Sequence, residues 1–217
     1  MAFVYCDRNG LSIILRFPQV PELPVRVIHY PHPTLQRVSK PLRRVDADLR
    51  KLVGEMFDLM YQNKGIGLAA NQVDLPYRLF VVNESGSPKE RDREMVFINP
   101  VLSKPKGSDE AEEGCLSLPG LYAPVRRPAS IRISGYNLSG EEVTIDAEGL
   151  LARIVQHEND HLDGVMFVDR LSQTALLDIK DKLEEFRSEF LSRRDLGEIP
   201  ADAKIFATLA ELEKLRC

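Results

Sequence analysis

His157-Glu158-Asn159-Asp160-His161 places two histidines four residues apart with a glutamate directly after the first. On a helix, residues i and i+4 lie one turn apart on one face, so both imidazoles can reach a single ion. Glu158 is rotated off that line yet close enough to handle the protons of a water held there. The competing reading is a surface helix with two solvated histidines. At generic residue frequencies the pattern arises by chance in under ~1% of chains this long. Half of the four histidines in the chain fall inside it. The sequence therefore points to a single-metal hydrolase, with Glu158 moving the protons.

Two histidines leave such a site short of ligands, because catalytic metals normally take three protein ligands and an open position. No histidine follows His161, and Asp178, Glu184 and Glu185 fall in a charge-alternating stretch that reads as solvated. Upstream, Glu112-Glu113-Gly114-Cys115-Leu116-Ser117 offers a thiolate. A lone cysteine is more often a small core residue. A third unusual stretch, Gly65-Ile66-Gly67-Leu68-Ala69-Ala70-Asn71-Gln72, combines small residues that admit a close backbone approach with the amide of Gln72. It lacks the GK[ST] ending of a phosphate loop.

The elements that must position these residues can be read from periodicity. Leu49, Leu52, Val53, Met56, Leu59 and Met60 recur at helical spacing behind Asp46 and Asp48, and that helix should stop near Lys64-Gly65. Short β-rich runs follow at 78–82, 95–99, 130–136 and 142–145, with a turn at 137–140 between the last two. A second helix is expected over 147–162, ended by Asp163-Gly164, and it carries the histidines. A third is expected over 173–193, with Leu176, Ile179, Leu183, Phe186 and Phe190 in one stripe, and a last over 201–215. The expected fold is α+β, with small antiparallel sheets packed around a central metal-binding helix and a helical C-terminal arm.

The 217 residues suit one domain with one main core, and 43% apolar with 29% charged residues is ordinary for a globular chain. A net charge of −4 and a pI near 5.7 argue against a broad nucleic-acid surface. No apolar run reaches the length of a membrane span, so no membrane partner is expected. Cys6, Cys115 and Cys217 form no CxxC pair and their number is odd, which fits a reducing, cytoplasmic setting. Residues 1–24 read as an N-terminal extension, neither a convincing secretory nor transit segment, that could add a strand to a domain starting near Val25.

Taken together, GIGLAANQ, EGCLS and QHENDHLDG, in this order and at this separation, resemble the signature of the peptide deformylase family. The resemblance extends from about Val25 through Leu171 and includes HPTLQRVSKPL and INP, which leaves residues 172–217 as the arm. It implies removal of the formyl group from N-formylmethionyl nascent peptides, with release of formate. It further implies Cys115, His157 and His161 as metal ligands, with Fe2+ as the native ion and Zn2+, Ni2+ or Co2+ as substitutes. Glu158 would act as general base and then general acid, and the Gln72 amide and the Leu116 backbone N–H would donate to the developing oxyanion.

Under the same resemblance the strand edge at 65–67 pairs with an extended peptide, so Ile66, Gly67 and Gly114 are expected at the substrate. Ile154 is expected to wall the methionine pocket. Arg153, one turn before His157, is expected to face the cleft, where the commonest bacterial pattern has an apolar residue. Glu113 and Arg127 look like a pair that braces the cysteine stretch and should lie within about 6 Å of each other. The family also docks a C-terminal helix transiently on the ribosome. In this chain the mixed charges over 178–194 favour a solvated face, and the Leu176–Phe190 stripe is expected against the domain or, in a homodimer, a second subunit. A zinc peptidase and a purely structural metal protein are the rival readings.

Overall fold

The computed structural model describes residues 3–6, 12–15 and 25–217. Strands β1 (Phe3–Cys6) and β2 (Ser12–Leu15) pair antiparallel with each other and, among the described residues, join no other sheet. The remainder of the expected N-terminal extension lies outside the described residues.

Helix α1 (Ala47–Gln62) starts where Asp46 accepts a hydrogen bond from the Leu49 N–H at 2.9 Å, the N-cap arrangement that satisfies an otherwise orphaned donor. Strands β3 (Gly67–Ala69), β4 (Leu79–Val82) and β5 (Met95–Lys106) follow. β6 (Asp109–Cys115) and β7 (Leu118–Arg127) form a hairpin of their own, and β8 (Ser130–Tyr136) and β9 (Glu142–Glu148) return to the main sheet. That sheet is antiparallel, in the order β3-β4-β5-β8-β9, which leaves β3 on an edge.

All four residues of β4 are buried because the sheet is covered on both faces. Leu79 and Val81 join Leu49, Val53, Met56 and Met60 of α1 in one cluster. Phe80 and Val82 join Ala152, Ile154, Val155 and Leu162 of helix α2 (Gly149–Leu162) in another. Every residue of α2 from Ala152 to Leu162 is buried, polar ones included, so the expected central helix is enclosed on all sides. It ends at Gly164, whose φ of +74° suits glycine and whose missing Cβ leaves room for the Gln36 carbonyl.

Two elements differ from expectation. The stretch between strands that carries Cys115 is itself the β6–β7 hairpin. Its first strand, DEAEEGC, is acidic and poor in β-formers, so pairing to β7 rather than propensity makes it a strand. The expected helix over 173–193 is broken at Ile179 into α3 (Gln173–Asp178) and α4 (Lys180–Asp195). No glycine or proline causes the break; Ile179 is buried with Leu183 and Phe186 against Tyr30, Leu121 and Val168, and packing bends the chain there. Leu176 and Leu177 are left exposed, so the apolar stripe meets the domain only from Ile179 onward.

Helix α5 (Asp202–Arg216) folds back on the N-terminal half of the domain. Leu212 enters the α1 cluster, Glu213 accepts two bonds from Arg37, and the Arg216 carbonyl accepts from the Arg43 N–H at 2.9 Å. Among the described residues no helix is long and apolar enough to cross a membrane.

Candidate metal centre

Three elements converge on one buried point. α2 brings His157 and His161, with ring centroids 4.9 Å apart. The β6–β7 hairpin brings Cys115, where the register shifts between Gly114 and Cys115, an irregularity of the kind that re-aims a side chain. The turn after β3 brings Gln72. One donor atom from each of Cys115, His157 and His161 lies within 4.8 Å of the other two, and Cys115 Sγ is 3.2 Å from His161 Nε2.

The side chains around this triangle are fixed from behind. Gln72 Oε1 accepts from the Ala69 N–H at 2.9 Å, which turns the side-chain amide nitrogen to Cys115 Sγ and Ser117 Oγ, both at 3.3 Å. The Ser117 N–H reaches the same sulfur at 3.4 Å. Asn71 Nδ2 donates to the His161 carbonyl at 2.5 Å and ties the helix to the turn. His157 Nδ1 lies 2.9 Å from Glu113 Oε2, which directs the other ring nitrogen of His157 toward the cysteine.

Glu113 and Arg127 meet as a buried fork, with Nε to Oε1 at 2.6 Å and the second pair at 2.8 Å, well inside the expected 6 Å. Burial alone would raise the Glu113 carboxyl, but hydrogen bonds from His157 and Arg127 outweigh it and hold the group at about 2. Arg127 also donates to Asp160 at 2.7 Å, and Arg170 pairs with the same carboxylate. Asp160 and Arg170 escaped the sequence reading. Asp160 stands at an unspecified position of the HExxH pattern, and nothing local marks the charge it meets.

The imidazoles are driven apart. Burial pulls against the charge of His157, yet contacts with Cys115 and Glu113 raise it to about 10. Burial and the nearby His157 push His161 well below 6.5. Glu158 is pushed up to about 7, chiefly by burial, with the charges of His157 and Arg127 pulling the other way. Its Oε2 is buried and has no hydrogen-bond partner among the described residues, and neither has Nδ1 of His161. A carboxylate oxygen left bare in a buried site costs free energy unless a ligand or water completes it. A cysteine sulfur and two imidazoles at this separation, beside that carboxyl group, suit a divalent ion with one open position.

The other expected site residues fall around this centre unequally. Gly67 touches Glu158 directly, since a Cβ placed on it would lie 2.9 Å from the carboxyl carbon. Ile66 is half-buried, and its carbonyl accepts from the Asn83 N–H. Leu116 follows the cysteine in the hairpin turn, and its side chain packs where a Cβ on Gly65 would stand. Gly114 pairs with Tyr122, whose ring fills the space beside it. Ile154 is packed into the core with Phe80 and Val155.

Arg153 departs from expectation. It does not open into the cleft; its guanidinium is turned into the hairpin, where both terminal nitrogens bond to Glu113, Val125 and Asp109. Buried carboxylate and carbonyl acceptors lie on that side, and a guanidinium seeks them out when it is removed from water.

The sequence model of the polypeptide deformylase family matches residues 24–176. A peptide deformylase of Rhodopirellula baltica is 48% identical over 193 residues, which span 89% of this chain and 96% of that protein. One from Neisseria gonorrhoeae is 45% identical over 74% of this chain and 95% of its own. Among solved structures, a plant peptide deformylase 1B superposes with a TM-score of 0.77 at 40% identity, covering 83% of this chain and 97% of its own. The Plasmodium falciparum peptide deformylase does so at 0.75 and 36%, covering 77% and 98%. Profile, relatives and fold agree with the Cys-His-His centre, and the chain belongs to the peptide deformylase family.

Proposed function

We propose that this chain hydrolyses the N-formyl group of N-formylmethionyl nascent polypeptides and releases formate. The observation that carries this reading is the convergence of Gln72 on the cysteine. Its amide nitrogen stands 3.3 Å from Cys115 Sγ, in a site that also holds a Glu158 carboxyl oxygen without a hydrogen-bond partner among the described residues. A peptidase built on HExxH alone requires neither Gln72 nor Cys115.

Cys115, His157 and His161 would hold a divalent ion, Fe2+ by preference with Zn2+, Ni2+ or Co2+ as substitutes, and bound there it supplies Lewis acidity to water and carbonyl. The chain's own residues do the rest. An extended peptide pairs its backbone with the open edge of β3 at Ile66 and Gly67, a contact indifferent to side-chain identity. Glu158 takes a proton from water as its oxygen adds to the formyl carbon. Gln72 Nε2 and the Leu116 N–H donate to the oxygen on which charge develops, each worth about 2.7–4 kcal/mol in comparable sites. Glu158 then passes its proton to the nitrogen as the C–N bond breaks, leaving formate and a free amine. A carboxyl pushed toward neutrality by burial suits both transfers.

The catalytic unit in this reading is residues 25–171, with the helices over 172–217 bracing it through the Glu213–Arg37 and Arg216–Asp46 contacts. In this reading the reaction takes place in the cytoplasm with a transient contact to the ribosome, and the exposed Leu176 and Leu177 offer the apolar surface for a second subunit.

Formate release from a formyl-Met peptide, followed with iron-loaded protein and with Glu158→Ala, tests the reading. Release by the parent and its loss in the variant are expected. Absence of release by folded, iron-loaded parent overturns it, and cleavage of unformylated peptides would favour a peptidase.

A further inference from the structure

We propose that Arg153 is a positioning residue that holds the Glu113 carboxylate in the orientation that orders His157 for metal binding. The four lone-pair directions of Glu113 are all taken. Oε1 accepts from Arg127 Nε at 2.6 Å and from Arg153 Nη1 at 2.7 Å. Oε2 faces Arg127 Nη2 at 2.8 Å and His157 Nδ1 at 2.9 Å. A carboxylate offers about four such directions, so one, and only one, remains for the histidine.

Arg153 is placed for this by geometry on both sides. It precedes His157 by one turn of α2, so the helix that carries the ligand also carries the residue that fixes the ligand's partner. Its guanidinium is anchored beyond Glu113 by the Val125 carbonyl at 2.9 Å and by Asp109, whose carbonyl and carboxylate lie at 3.1 and 2.8 Å. The result is an alternating line of charge from the start of β6 to the far side of α2: Asp109, Arg153, Glu113, Arg127, Asp160, Arg170. Arg127 divides its donors between Glu113 and Asp160. Without Arg153, the two buried carboxylates Glu113 and Asp160 would share the guanidinia of Arg127 and Arg170, and Oε1 would keep an unfilled acceptor direction in a buried site. Such a carboxylate gains by turning to fill the empty direction, and turning disturbs the Oε2 contacts with Arg127 Nη2 and His157 Nδ1. Partners of metal-bound histidines commonly govern affinity by about 10–100-fold, and Arg153 acts at one remove through such a partner.

The test is the rate at which a chelator strips the metal from the holoenzyme, read together with the visible absorption of the cobalt-loaded protein. Neither readout requires the deformylase reading, on which only the relevance to turnover rests; a parent that fails to release formate leaves this test intact. Arg153→Met keeps the aliphatic stem and removes every donor. It is expected to lose metal about tenfold faster than the parent and to shift the cobalt bands. Asp109→Asn loosens the hairpin anchor while the Asp109 and Val125 carbonyls still hold the guanidinium, and it is expected to lose metal at the parental rate. Should the Met variant not fold, Arg153→Leu, which likewise carries no donor, serves in its place. Parental release and parental cobalt bands in a folded Arg153 variant overturn the proposal, as does an equal acceleration in Asp109→Asn, which would mark Arg153 as a hairpin staple alone.

Discussion

Gly67 and Glu158 share one space: a Cβ on the glycine would lie 2.9 Å from the glutamate's carboxyl carbon and 3.0 Å from its Cγ. The strand edge proposed to hold the peptide and the carboxylate proposed to move its protons are thus in contact. Gly67→Ala should displace the Glu158 side chain while leaving the metal ligands in place. Misplacement by about 1 Å can cost about 100-fold, so kcat is expected to fall by that order with metal content unchanged. Steady-state kinetics beside metal analysis of the same preparation checks this; an alanine variant with parental kcat would refute it.

Gln72 is fixed at its carbonyl end by the Ala69 N–H, so its amide nitrogen cannot swing away from Cys115. Gln72→Ala should lower kcat by about 10²–10³, the cost of one oxyanion donor, with a smaller change in KM. An equal rise in KM at constant kcat would instead mean that Gln72 binds substrate and transition state alike.

Metal removal should silence the protein without unfolding it. α2 is tied to the hairpin by Glu113, Arg127 and Asp160, and it is buried in the sheet core, none of which depends on an ion. Chelation is expected to abolish formate release, to leave far-UV circular dichroism unchanged, and to be reversed by Fe2+. Collapse of the helical signal on chelation would make the centre structural.

Asp46 predicts a pH dependence far from the site. Burial would raise its carboxyl, but the hydrogen bonds from Arg216 and from the Leu49 N–H, with the Arg216 charge, lower it below the ordinary 3.8. A depressed carboxyl stabilises the fold above its unfolded value and loses that contribution as pH falls through the folded one. Asp46→Ala should therefore cost about 1–2 kcal/mol at neutral pH through the lost cap. The gap in melting temperature between parent and variant should narrow as pH drops below 3.8. A gap independent of pH would show that the charge of Asp46 contributes nothing.

Much of this was legible in the chain itself. HExxH, the EGCLS stretch and the glycine-rich turn specified the donors because ligand chemistry is carried by residue type and short spacing. The α1 cap and the glycine after α2 were readable for the same reason: both are satisfied within one turn of the backbone. Two features were not. The hairpin strand DEAEEGC has no β signature of its own, although the alternation of Leu121, Ala123, Val125 and Arg127 on its partner was a usable sign. The break at Ile179 follows from where a distant cluster lies.

The sequence alone determined which atoms could bind a metal and move a proton, since that depends on what the side chains are. Only the tertiary structure decided which way Arg153 points, that Asp160 and Arg170 complete the charge line, and that Gly67 abuts Glu158. Those are contacts between residues as far as 91 positions apart in the chain, fixed by how the hairpin, the sheet edge and α2 pack around one buried point. Long-range pairing of this kind leaves no mark on local spacing, because the energy that selects it comes from burying charge and apolar surface together.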